Sequence, residues 1–141
     1  MGAARAVTPK TARVIGYDLQ GRDDGTAVLL YREDDTPSGS TGGRVELVTV
    51  ELGGVSDPKP IAEEGLGTGV PLLYGDWVVI HSLAGPVRVG LLGPKGDLVS
   101  DLAPETALRL GEILGGNNER FLVGTPAGRA MKLSVVQCAR Q

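Results

Sequence analysis

The chain alternates short apolar runs with clusters of Gly, Pro, Asp and Asn. The clearest run is 44–52, RVELVTVEL, which puts Val45, Leu47, Thr49 and Glu51 on one face and Glu46, Val48, Val50 and Leu52 on the other. A period of two on β-branched residues predicts a strand, because successive side chains of an extended backbone point to opposite sides. Two earlier strands are predicted at 11–17 (TARVIGY) and 26–32 (TAVLLYR), joined by the turn-rich DLQGRDDG of 18–25. Residues 33–43, EDDTPSGSTGG, hold no packing face and predict an exposed loop. After a connector at 53–69, the runs 70–74, 76–83, 86–92 and 97–102 are separated by short Gly/Pro clusters, which predicts an antiparallel meander. Within it Trp77, Val79 and His81 oppose Val78, Ile80 and Ser82; both sets are largely apolar, so this strand is expected to be covered on both sides. Two further strands fall at 119–124 and 129–138, around the turn TPAG. In the last of these, Met131, Leu133 and Val135 oppose Lys132, Ser134 and Val136. Residues 104–114, PETALRLGEIL, read as a loop running into a strand, with a short helix as the competing reading. Residues 1–10 read as a loose arm before a single all-β domain, 11–141.

The strand and turn pattern starts afresh near residues 11, 66 and 107, which divides the domain into units 11–64, 65–103 and 104–141. The stretch GLGTGVPLLYGDWVVIHSLAGPVRVGLLGPKGDLVSDL, 65–102, resembles a blade of a β-propeller. The likeness rests on GDWVVIHS as inner-strand register and GPKGDLV as outer hairpin, without a tryptophan–aspartate or kelch signature. It implies blades of roughly 40–50 residues, of which three fill the chain, whereas a closed propeller has at least about four. The antiparallel meanders are therefore blade-like units of a partial or oligomer-completed propeller, or strands of a single sandwich or barrel. The terminal runs 11–17 and 129–138 present open edges unless they meet each other or a partner, and Arg13, Arg129 and Lys132 are charges of the kind that protect such edges.

Composition narrows the function classes. The 141 residues are 41% hydrophobic and 22% charged, enough apolar material for a core and against disorder. A net charge of −3 argues against a nucleic-acid partner, which selects a basic face. No apolar run approaches the ~18 residues of a membrane span, and Met1 to Lys10 holds no apolar core of a signal peptide. With Cys138 alone there is no intrachain disulfide framework, and a cytoplasmic setting is slightly favoured.

Chemistry is sparse. The turn 18–25 resembles calcium loops of the FG-GAP type, with Asp18, Asp23 and Asp24 as candidate metal ligands, although Gln20 and Arg22 stand where further carboxylates would help. Calcium is the one cofactor this implies, and with it a calcium-assisted adhesion or ligand-binding module at 18–25 as one functional alternative. Glu33, Asp34 and Asp35 sit on a Ser/Gly-rich loop and are expected in solvent. A hydrolase drawing carboxylates from Asp18, Asp23, Asp34 and Asp35 is the enzymatic alternative. His81 has no second histidine to share a metal, and Ser82 beside it on a strand faces the other way. Gly65 to Gly69 precedes a strand-like VPLL rather than a helix, which excludes a dinucleotide loop. Aromatic residues are 4% of the chain, too few for a sugar-binding platform; Tyr31, Trp77 and His81 are the ligand-binding candidates. No catalytic set is visible. The expectation is a non-enzymatic β-rich module for protein–protein contact or assembly, with a protein partner or self-association.

Overall fold

The computed structural model describes residues 4–34, 43–62, 68–82, 87–100, 102–104 and 112–138. These form twelve strands and no helix, in three antiparallel sheets that follow one another along the chain. The protein is all-β. In the first sheet, β1 (Val14–Gly21), β2 (Ala27–Glu33) and β3 (Arg44–Glu51) form a meander, and both β4 (Gly54–Val55) and β5 (Lys59–Ala62) pair with β3. The second runs in the order β6 (Thr68–Tyr74), β7 (Trp77–Ser82), β8 (Arg88–Leu91) and β9 (Ala103–Pro104). The third holds β10 (Glu112–Gly116), β11 (Arg120–Ala127) and β12 (Ala130–Gln137).

Alternation along each strand explains how the sheets stack. Val28, Leu30, Val45 and Leu47 point from the first sheet into a core shared with Leu73, Val78, Ile80 and Leu92. Val79, one residue out of step with Val78 and Ile80, points the other way and packs with Ile113, Phe121 and Val123 of the third sheet. The second sheet is thus covered on both faces, as the two apolar registers of 77–82 require. Tyr74 and Trp77 each meet Phe121 edge-on, with ring centroids 6.0 Å apart, and so tie the second sheet to the third. On the far side of the first sheet, Leu29, Tyr31 and Val48 are buried, with Val7 of the arm and Ala12 packed against them.

Several boundaries differ from the sequence reading. β1 continues through Asp18 to Gly21, because Leu19 pairs with Leu29 and Gln20 with Val28. The turn shrinks to residues 22–26, closed by the Arg22 N–H donating to the Thr26 carbonyl (2.8 Å) and by Gly25 at φ 83°. Residues 97–102 are not the fourth strand of the meander. Leu98 makes one bridge to Leu92, Leu98 and Leu102 turn into the first core, and the fourth strand is β9. Thr125 and Pro126 belong to β11 rather than to a turn, which falls at Gly128 and Arg129. Pro126 lies beyond Gly124, whose partner Glu112 is the first described residue of β10, and it pairs with Met131 of β12. Of 104–114, the described end is strand; 105–111 lie outside the described residues. Asp34 is not in solvent: it is 5% exposed, and its N–H donates to the Arg13 carbonyl (3.0 Å), which extends the β1–β2 ladder by one step. Asp35 lies outside the described residues.

Candidate functional site

Corresponding hairpin turns of the three sheets converge on one side of the stack. The β1–β2 turn, Gly75–Asp76 between β6 and β7, and Asn117–Asn118 between β10 and β11 line a cleft of about 630 Å³. Several of its polar groups join one turn to the next. The Asn118 carboxamide oxygen accepts from the Asp76 N–H (2.6 Å), and the Asn118 carbonyl accepts from the Trp77 indole N–H (3.2 Å). Gly75 sits at φ 63°, and a β-carbon there would run into the Asn118 carboxamide. Across the other sheet boundary, an Asp18 carboxylate oxygen accepts from the Leu73 N–H (2.7 Å). Arg22 lies 3.6 Å from the Asp76 carboxylate and donates to the Gly93 carbonyl (2.9 Å).

These contacts decide where the candidate metal ligands go. Asp18 is spent on Leu73. Asp24 accepts from both the hydroxyl and the N–H of Thr26, which holds its carboxyl below the usual carboxylate range. Asp23 is exposed. The structure does not gather the three: among the described residues no group of three or more His, Cys, Asp or Glu is placed to hold a metal ion. The carboxylates of the enzymatic alternative are also spread out. Asp23 and Asp34 flank opposite ends of the seven-residue β2, which separates them by about 20 Å.

Nor are Tyr31, Trp77 and His81 brought together. Trp77 and His81 share the face of β7 that carries Val79, toward the third sheet, whereas Tyr31 belongs to the outward face of the first sheet. Tyr31 is fully buried, its hydroxyl has no hydrogen-bond partner among the described residues, and burial, then Glu46 and Glu33, push its pKa up to about 12. It is part of the floor of an apolar groove of about 400 Å³, between the arm residues Val7 and Thr8 and the β1 side chains Val14, Tyr17 and Leu19.

At the two ends of the stack the sheets present apolar faces. On the third sheet, Leu114, Leu122, Met131, Leu133 and Val135 share the side turned away from the second sheet, and the three β12 residues are 53%, 59% and 65% exposed. On the first sheet, Val14, Ile15, Tyr17 and Leu19 of β1 are exposed beside the groove. The Met131–Leu133–Val135 register is plain in the sequence but its outward direction is not, because alternation separates two faces without saying which one is covered. Comparison with known proteins gave no match to any family model, curated protein or solved structure. No described helix is long and apolar enough to cross a membrane.

Proposed function

We propose that this chain is a non-enzymatic assembly module, a stack of blade-like sheets that binds further β-structure on its end faces as one portion of a larger propeller. The observation that carries this reading is the outward face of the third sheet. Its five large apolar side chains are contiguous on one sheet side rather than scattered singly. A continuous apolar patch rimmed by polar positions is what protein–protein contact selects, whereas isolated exposed apolar residues carry no such meaning. The polar cleft supports the same reading from the other direction, since its side chains fasten one sheet to the next. The blade likeness is supported by three successive meanders packed face to face, with β1 and β2 lying against β6, the first strand of the following sheet.

Binding of an environment-sensitive apolar dye, followed together with solubility in rising ammonium sulfate, tests the reading. The wild-type chain is expected to bind dye or to self-associate in salt. Leu133→Glu with Val135→Glu should suppress whichever occurs while leaving the melting temperature within a few degrees, because both side chains project into solvent. A wild-type chain that stays monomeric in high salt and binds no dye refutes it.

A further inference from the structure

We infer that the occupant of the end faces is a second copy of this chain, joined head to tail so that each third sheet packs on the other copy's first sheet and the two stacks close into a ring of six sheets. This rests on the assembly reading above and names its partner. Three observations carry it.

The first is continuity. Inside the chain, each boundary joins the apolar face of one sheet to the apolar face of the next, around the second sheet, which is covered on both sides. A third sheet facing a first sheet repeats that arrangement without a new kind of contact, and the chain itself provides both faces.

The second is area. Three strands of up to eight residues, spaced at ~4.8 Å and rising ~3.3 Å per residue, outline a face of about 400 Å². A stable interface buries about 800 Å² on each partner. One end face alone supplies roughly half of that, so two copies paired only through their third sheets fall short. A closed head-to-tail pair buries two faces on each copy and reaches the required area. A two-fold axis closes such a pair, and closure prevents growth into filaments.

The third is the weakness of what now lies on the first sheet. The arm covers that face with Val7 and Ala12, and it leaves an open apolar groove against β1. A third sheet offers five large apolar side chains to the same place, against the two that the arm sets there.

Sedimentation equilibrium over a range of concentrations tests the inference with the full chain and two variants, one per face. The wild type should weigh twice the 14.6 kDa of one chain. Leu133→Glu with Val135→Glu spoils the third-sheet face, and Tyr17→Glu with Leu19→Glu spoils the first-sheet face. Each is expected to be monomeric with a melt as cooperative as that of the wild type, since all four positions are exposed in the isolated chain. Mixing the two should recover a weak pair, at least about tenfold weaker than the wild type, because one intact face remains on each and only one interface can form. A wild-type dimer that survives the first-sheet variant overturns the head-to-tail arrangement. So does unlimited growth with concentration, which means that the ring does not close. A wild-type monomer overturns the second copy as partner. If that monomer still binds the apolar dye, the assembly reading stands with a different protein as occupant; if it binds none, both fall.

Discussion

Phe121 is the point at which the third sheet is held to the second, and its removal gives the sharpest test of the stacked architecture. The side chain is 4% exposed and meets both Tyr74 and Trp77 edge-on at 6.0 Å. Truncating a buried Phe to Ala costs about 3–5 kcal/mol, from lost transfer free energy and from the cavity that neighbours fill incompletely. The two ring contacts supply about 0.5–1.5 kcal/mol each beyond area burial, and part of that lies within the truncation figure. Phe121→Ala is therefore expected to lose about 4 kcal/mol, and Phe121→Leu about half as much because it keeps most of the apolar volume. A domain of this size is stable by about 5–15 kcal/mol, so the variants should still fold at moderate temperature. Urea titration followed by the fluorescence of Trp77, the single tryptophan of the chain, reports on this boundary directly. A double-mutant cycle with Tyr74→Leu should show coupling of about 1 kcal/mol. A loss below about 1 kcal/mol for Phe121→Ala, with no coupling, would mean that the third sheet is not packed on the second through this residue.

Three further outcomes are expected. Asp18→Ala leaves the half-buried Leu73 N–H without its acceptor and should cost about 1–3 kcal/mol in denaturant titration, while Asp18→Asn, which keeps an acceptor oxygen, should cost less; equal losses would contradict an acceptor role. Tyr31 ionises at about 12 in the folded chain against an ordinary 10.0, so above pH 10 the unfolded chain gives up its proton first and stability falls as pH rises through 12. Tyr31→Phe should reduce that alkaline loss and change neutral-pH stability by less than about 1 kcal/mol, since the hydroxyl has no partner among the described residues; an unchanged alkaline slope in pH-dependent unfolding would refute the assignment. Gly75→Ala meets both a positive φ and the Asn118 carboxamide, and should lower stability by about 1–3 kcal/mol by thermal melt, whereas Gly21→Ala, which has open space around it, should not.

Much of the strand pattern was legible in the chain. The alternation at 44–52 became β3 with Val45 and Leu47 in one core and Val48 in another, and the double apolar register of 77–82 became a strand covered on both sides. Local signals misled where a tertiary contact outweighed them. Asp18, Gln20 and Gly21 have turn composition, yet pairing with β2 draws them into β1 and spends the Asp18 carboxylate on the second sheet, so a loop of calcium-binding appearance does not gather its ligands. Leu98 and Leu102 suggested a strand and instead fill the core beneath the first sheet. Asp34 sits in a loop-like sequence but is buried at the end of the first ladder.

What the sequence determined by itself is the class of the protein and the division of residues between the two faces of each strand, because side-chain alternation is a property of extended backbone and needs no partner. Which of those faces is covered was decided only by the tertiary structure. Met131, Leu133 and Val135 have the same composition and spacing as a buried strand face, and only the position of the third sheet at the end of the stack exposes them. The polar cleft was illegible for a related reason: Arg22, Asp76 and Asn118 are far apart in the chain, and it is the stacking of the sheets that brings their turns together.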